Sequence, residues 1–168
     1  MYHGTFDDFN TFEIRNEVGF HFGTKQAATE RANTNVRGFF LNIKNLSTNY
    51  EDGMWFARKL LYDFVNDGTL TQKEADKWKK EATAYIEEKT NNTYDYYGRE
   101  DLLFQEYINK KIQELKGNDY GIAYKNETED AGSISYLVFN PNQVKSVDNQ
   151  GRFSNIDNNI YDEYDDSE

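Results

Sequence analysis

The sequence predicts an α+β fold in one domain, with short strands toward both ends of the chain and a helical middle. Compact apolar runs that suit strands lie at 36–45, 120–126 and 133–141. Between the first and second runs, apolar residues recur at helical spacing. A chain of 168 residues can bury about 70% of its unfolded surface in one core, so a single domain is expected.

Two helices are predicted before residue 70, each from apolar spacing and an end signal. The short segment "TKQAATER" begins near Thr24. A longer helix lies within 50–68 and ends at Gly68. The residues expected to face the core are Ala27, Ala28 and Ala32 in the first helix, and Met54, Ala57, Leu61 and Phe64 in the second.

Two further helices are predicted around a loop at 91–100. The helix before the loop begins with a capping box, in which Thr71 precedes Glu74 by three residues. The helix after the loop ends at Gly117. Their expected core residues are Ala75, Trp78, Ala82 and Tyr85 in the former, and Phe104, Ile108, Ile112 and Leu115 in the latter.

Composition narrows the class of protein. Aromatic residues make up 16% of the chain, which argues against disorder. Cysteine is absent, so disulfides and thiolate metal sites are excluded. The net charge of −11 argues against a nucleic-acid backbone as the main partner. No apolar run is long enough to span a membrane and no secretion signal follows Met1, so we expect a soluble, cytoplasmic protein.

The two histidines of the chain occur in similar settings. His3 stands in "YHGT" and His21 in "GFHFGT", each next to an aromatic residue and near a glycine, which predicts that both line one pocket. No HExxH-like spacing is present, so no metal site is expected. The serine-hydrolase elbow and the glycine-rich phosphate loops are missing as well.

Three segments carry a family resemblance. "YHGT", "GFHFGTKQAATER" and "SYLVFNPNQVKSV" resemble the signature segments of the ADP-ribosyltransferase fold. Together with "LNIKN", "DYGIAYKNETE" and "NQGRFSNIDNNI", they are similar to the ADP-ribosyltransferase-like domain of phage and mobile-element polyvalent proteins, and distantly to poly-ADP-ribose polymerases. The resemblance implies a split β-sheet core over residues 1–160 with a helical insertion at about 50–116. The run of acidic residues at 161–168 predicts a solvated tail.

The resemblance also implies an activity. Enzymes of this kind break the bond between nicotinamide and ribose in NAD⁺ and transfer ADP-ribose to an acceptor. For this chain it implies a phage-encoded transferase that uses NAD⁺ as its substrate and modifies a host protein or nucleic acid. It would act in the host cytoplasm and could be carried in the virion.

By the same resemblance, the first motif holds the nicotinamide riboside. His3 would bind a ribose hydroxyl, and the backbone of Gly4, followed by Thr5, would pair with the nicotinamide amide. Backbone suits that partner, because one N–H and one C=O match the amide's acceptor and donor and glycine permits close approach.

The second motif would complete the NAD⁺ site. His21 and Gly23 occupy its centre, with His21 at the position where related enzymes place an aromatic ring against nicotinamide. Phe22 either assists or points into the core. Arg31 or Lys25 would meet the pyrophosphate.

The third motif departs from the family pattern. Ser135 stands where related polymerases carry the catalytic glutamate, and a serine cannot supply negative charge at neutral pH. Either Glu127, Glu129 or Asp130 of "NETED" reaches over the site, or the domain binds without turnover and is an interaction module. If the preceding strand continues, Glu127 and Glu129 share a face; Glu129, nearer the expected turn, is favoured.

Overall fold

The computed structural model describes residues 1–90, 99–149 and 158–161, with Arg99 and Glu100 described as backbone alone. These residues contain strands and helices in one mixed arrangement, so the predicted α+β class is confirmed. The strands are β1 (Tyr2–Thr5), β2 (Phe20–Phe22), β3 (Asn35–Leu41), β4 (Asn45–Glu51), β5 (Tyr120–Lys125), β6 (Ile134–Val138) and β7 (Val144–Ser146). The helices are α1 (Lys25–Arg31), α2 (Ala57–Asn66), α3 (Gln72–Thr90) and α4 (Arg99–Lys116).

The chain divides into two compact units. The first consists of residues 1–13, 19–52 and 116–168, and contains all the strands named above together with α1. The second consists of residues 14–18 and 53–115, and contains the long helices. The domain end at 160 stays a prediction, and the predicted tail at 161–168 lies, beyond Tyr161, outside the described residues.

The first unit is built on two sheets. One has the strand order β1-β3-β7 and the other the order β2-β6-β5-β4, with β4 and β5 parallel and the remaining pairs antiparallel. An isolated bridge joins the sheets, because Tyr2 and Gly23 exchange two backbone hydrogen bonds of 2.9 Å. We call this junction between β1 and β2 the seam.

The prediction of a single strand at 36–45 is wrong. β3 ends at Leu41 and β4 begins at Asn45, in the other sheet. In the three residues between them, the Asn42 N–H donates to the carbonyl of Gln143 and the Lys44 N–H to that of Asp119. The apolar run therefore crosses from one sheet to the other, which hydropathy alone does not reveal.

Gln143 secures the end of the sheets where this crossing occurs. Its amide oxygen accepts from the N–H groups of Phe139 and Asn140, and its amide nitrogen donates to the carbonyls of Asn42 and Tyr120. The side chain is 2% exposed and thus fully hydrogen-bonded in the interior. Its role is structural.

Helix α1 packs closely on β1. Thr24 caps it by accepting from the Ala27 N–H, and Ala27, Ala28 and Ala32 are buried as predicted. A Cβ atom at Gly4 would lie 2.0 Å from the carbonyl oxygen of Ala28, inside any allowed contact. Glycine at this position therefore allows the helix backbone to approach the strand.

The helical unit matches its prediction except at three expected core positions: Met54 and Leu115 are exposed, and Tyr85 is half-buried. The box between Thr71 and Glu74 is present, with the Glu74 N–H donating to the threonine hydroxyl and the Thr71 N–H to the glutamate carboxylate. Met54 precedes α2, which begins only at Ala57, and its side chain is 65% exposed rather than buried. Leu115 in the last turn of α4 is also exposed, because the apolar face of that helix ends at Ile112.

Candidate functional site

The seam leaves part of the β1 edge directed toward β2. Successive residues of a strand send their N–H and C=O groups to opposite edges. Those of Tyr2 meet Gly23, so those of Gly4 point to the same side of the strand. A hydrogen-bonding edge is thus presented next to the place where β2 gives way to α1.

His3 links the two sheets from the β1 side. Its Nδ1 donates to the carbonyl oxygen of His21 over 2.8 Å, since a carbonyl can only accept. The ring makes edge or tilted contacts with an aromatic cluster formed by Phe9, Phe12, Phe22 and Phe39. These contacts fix the ring orientation and the tautomer.

His21 faces a different environment. Its Nδ1 lies 3.0 Å from the hydroxyl of Tyr124, and the two rings meet edge to face with centroids 6.0 Å apart. The histidines are therefore joined through a backbone carbonyl, but their rings enter different surroundings. The expectation that both rings line one pocket is corrected to that extent.

Burial controls the charge of His21. Desolvation, followed by the nearby positive charges of His3 and Arg31, lowers the pKa of its imidazole to about 3. The ring is accordingly neutral at physiological pH. A neutral, half-buried imidazole can stack on a flat aromatic ligand without a charge to desolvate.

This shift predicts a pH-dependent stability. Between about pH 6.5 and pH 3 the unfolded chain binds a proton at His21 that the folded chain excludes, so the free energy of unfolding falls as pH falls. From pH 7 to pH 5 we expect His21 to lower the free energy of unfolding by about 2 kcal/mol. Urea unfolding of the parent and of His21→Gln at both pH values measures it; equal losses in the two proteins would contradict the assignment.

Ser135 lies on the same face of its sheet as His21. His21 pairs with Leu137 and Leu137 with Ile122, and residues two apart along a strand share a face, which places Ser135 and Tyr124 beside them. Ser135 itself is 2% exposed. The Ser135 side chain is therefore covered by neighbouring residues and does not contact solvent.

Gly23 completes this face next to α1. A Cβ atom there would lie 3.0 Å from the Ser135 hydroxyl and 3.1 Å from the Ala27 side chain. Phe22, one residue earlier, is 1% exposed and packs in the aromatic cluster on the opposite face of β2. Of the two alternatives for Phe22, the structure thus places it in the core.

The turn between β5 and β6 is organised by Asn126. Its amide oxygen accepts from the N–H groups of Thr128 and Glu129, at 3.0 and 2.8 Å. Its amide nitrogen lies 3.0 Å from the Ser135 hydroxyl and 3.3 Å from a carboxylate oxygen of Glu129. Asp130 has a positive φ of 47°, and Gly132 one of 94°, which lets the chain reverse.

The strand does not continue through the acidic residues, so the condition for a shared face of Glu127 and Glu129 is not met. β5 ends at Lys125, because Asn126 starts the turn, so Glu127 and Glu129 do not alternate along a strand. Glu127 is exposed, and its N–H donates to the Asp52 carboxylate. Glu129 is half-buried and connected to Ser135 through Asn126. The structure therefore separates the two candidate carboxylates.

Helix α1 holds the same turn from the other side. The Thr24 hydroxyl donates to the Asp130 carboxylate, and the Asp130 N–H donates to Glu30. Arg31 lies 3.5 Å from Glu129 with a side chain that is 69% exposed. Arg31 therefore lies at the turn, and its positive charge contributes to the lowered pKa of His21.

The other predicted residues take simpler places. The Thr5 hydroxyl accepts from the Asp7 N–H, which ends β1. Lys25 is exposed on the first turn of α1. The described residues hold no cluster of three or more His, Asp or Glu side chains able to bind a metal ion. In the same part of the chain, no helix has the length and apolar character needed to cross a membrane.

Sequence reasoning missed Asn126 and Tyr124 as members of this site. An asparagine that opens a turn often hydrogen-bonds the backbone two residues later, so the "N" of "NETED" carried a usable signal. Tyr124 carried none, because its contact with His21 spans 103 positions.

Comparison with known proteins identifies the family. No curated protein and no solved structure gives a significant match to the chain. A family model described as "ADP-Ribosyltransferase in polyvalent proteins" matches residues 1–153, which confirms the expected ADP-ribosyltransferase-like split-sheet fold. Both sheets, the seam and the turn opened by Asn126 fall inside that match. The chain belongs to the family of ADP-ribosyltransferases found in polyvalent proteins.

Proposed function

We propose that this protein is a phage-encoded enzyme that transfers ADP-ribose from NAD⁺ to a host protein or nucleic acid in the host cytoplasm. The proposal rests on the arrangement at the seam, where the two histidines lie next to the edge of β1. There His3 is bonded to the His21 carbonyl, and Gly4 directs its N–H and C=O toward the gap.

The seam suits the nicotinamide end of NAD⁺. A carboxamide needs one donor and one acceptor side by side, which the Gly4 backbone offers on the edge of β1. A neutral His21 ring offers a flat surface for the pyridinium, with no positive charge of its own to repel it. The exposed guanidinium of Arg31 supplies the positive charge that the pyrophosphate requires.

The proposed reaction breaks the bond between nicotinamide and C1′ of ribose. Nicotinamide leaves with the bonding electron pair, the acceptor nucleophile forms the new bond to C1′, and its proton passes to solvent. Positive charge develops on the ribose before the new bond forms, so a nearby carboxylate stabilises the transition state more than the ground state. Glu129 is the carboxylate we assign to this role, because its contacts tie it to the Ser135 face of the sheet.

A second candidate function rests on one observation. Ser135 stands where the related polymerases carry the catalytic glutamate, and it is buried. A domain without a carboxylate at C1′ would bind NAD⁺ or a partner protein without turnover. One experiment distinguishes the two functions. Incubation of the protein with radioactive NAD⁺ and host lysate transfers label to a macromolecule only if the protein is a transferase.

The proposal predicts that NAD⁺ stabilises the folded protein. At a concentration one hundred times the Kd, binding to the native state adds about 2.7 kcal/mol. For a chain of this length the melting temperature should rise by about 5–10 °C. Thermal melting with NAD⁺, and with ATP as a nucleotide control, measures the effect. The absence of any NAD⁺ shift at millimolar concentration would exclude both catalysis and nucleotide binding at the seam.

A further inference from the structure

Asn126 stands between the buried serine and the half-buried glutamate. Its side chain is 3% exposed, and its amide nitrogen donates both to the Ser135 hydroxyl and to the Glu129 carboxylate, at 3.0 and 3.3 Å. Both acceptors therefore bond to one nitrogen. Because an amide group is planar, the directions of its two N–H donors are fixed relative to each other.

The amide oxygen and the amide nitrogen of Asn126 bond to different parts of the molecule. The oxygen accepts from the N–H groups of Thr128 and Glu129, which builds the turn. The backbone of Asn126 adds two further bonds, to the carbonyl of Ser133 and from the N–H of Gly132. The nitrogen bonds to side chains only and to no backbone group of the turn. Its two bonds instead set where the Glu129 carboxylate lies relative to β6.

We infer that Ser135 and Asn126 are positioning residues, which together hold the Glu129 carboxylate over the sheet face shared with His21. The inference rests on the proposed function, and it gives the serine of the third motif a role. Ser135 is too buried to touch substrate, but it anchors the asparagine that orients a carboxylate supplied by the turn. A carboxylate from the loop thereby takes the place of one from the strand.

The charges around the carboxylate are compatible with this arrangement. Arg31 approaches the other oxygen of Glu129 at 3.5 Å from the solvent side. The nitrogen of Asn126 approaches from the buried side. An exposed ion pair is flexible and weak, whereas a buried neutral donor is fixed by packing. Asn126, rather than Arg31, therefore sets the position of the carboxylate.

Asn126→Asp tests the inference, because it keeps the oxygen that builds the turn, removes the two donors and puts a second negative charge next to Glu129, which displaces its carboxylate. We expect kcat for NAD⁺ consumption to fall about 10- to 100-fold with an unchanged KM for NAD⁺, the size of effect that misplacement of a reacting group causes. Ser135→Ala should act in the same direction. The double variant should be no slower than the slower single variant, because both changes break one chain of contacts.

Asn140→Asp is the matched control. Asn140 also uses its amide oxygen to accept from a turn N–H, that of Asn142, at the opposite end of β6. The kcat of the Asn140→Asp variant should equal that of the parent protein. A raised KM and a lowered melting temperature in Asn126→Asp, with kcat per folded molecule unchanged, would show a merely structural role and overturn the inference.

A second measurement separates failure of the inference from failure of the proposed function. In nitrogen-15 NMR spectra, the side-chain amide protons of Asn126 should shift in Ser135→Ala and in Glu129→Gln, and stay in place in Asn140→Asp. A parent that consumes no NAD⁺ but shows these shifts would refute the proposed reaction and support the arrangement. A parent that consumes NAD⁺, with parental kcat in Asn126→Asp, would refute the positioning role alone.

Discussion

Glu129→Gln is expected to lower the rate of ADP-ribose transfer by a factor of about 10²–10³, the usual cost of removing one preorganised electrostatic contact to a transition state. Glutamine keeps the shape of the side chain and an oxygen that accepts from Asn126, so only the charge is lost. The ion pair with Arg31 is mostly exposed, and its loss should cost the fold less than about 1 kcal/mol. The NAD⁺-induced rise in melting temperature should therefore persist.

Glu127→Gln provides the control for that measurement. It makes the same chemical change two residues earlier in the same turn, at a side chain that is exposed and whose residue contacts Asp52 through its backbone N–H. We expect transfer at the parental rate. Parental transfer in Glu129→Gln, or loss of transfer in Glu127→Gln alone, would move the catalytic carboxylate away from Glu129.

Gly4→Ala is expected to destabilise the first unit strongly. The added methyl group would lie 2.0 Å from the backbone oxygen of Ala28 and 2.9 Å from that of Ala32, and a helix backbone cannot yield as a side chain can. Overpacking typically costs about 1–3 kcal/mol, and contact with a helix backbone places this change near 3 kcal/mol. The melting temperature should fall by about 6–12 °C, as measured by circular dichroism.

Gly38→Ala is the comparison for this change. Gly38 lies opposite Tyr2 in the strand next to β1, and the atoms nearest to an added methyl group belong to the Val147 side chain, at 3.3 Å. Val147 is 45% exposed, so its side chain can yield toward solvent by the few tenths of an ångström that the methyl group needs. We expect a change below about 1 kcal/mol. Equal destabilisation in both variants would mean that α1 does not press on Gly4.

The sequence carried the local parts of this fold more fully than the long-range parts. The caps of α1 and α3 follow from residues three apart, Thr24 with Ala27 and Thr71 with Glu74, so a short window was sufficient. The crossing at residues 42–44 was missed, because it is fixed by Gln143 and Asp119, far along the chain. β4 was missed since its polar, mostly exposed residues give no apolar pattern.

For the candidate site, too, the sequence revealed individual residues but not their long-range surroundings. The motifs brought His3, Gly4 and His21 to attention, and the structure places all three at the seam. Their surroundings could not be read from the chain, because the aromatic cluster around His3 joins residues from β1, β2, β3 and the segment before β2. The turn was misjudged because alternation assumes a strand, whereas the Asn126 side chain diverts the backbone out of the ladder.

The two ends of the β5–β6 hairpin are held by different means, and this decides which end tolerates a change of sequence. At one end, Gln143 fastens Tyr120, Phe139 and Asn140 through the interior, and so sets the alignment of the strands. At the other, residues 127–132 form an outward-facing turn whose sequence need not preserve that alignment. Evolution or an engineer can therefore vary the side chains at 127, 128 and 131 without re-registering the sheet, provided that Glu129 and the contacts of Asp130 with α1 are kept.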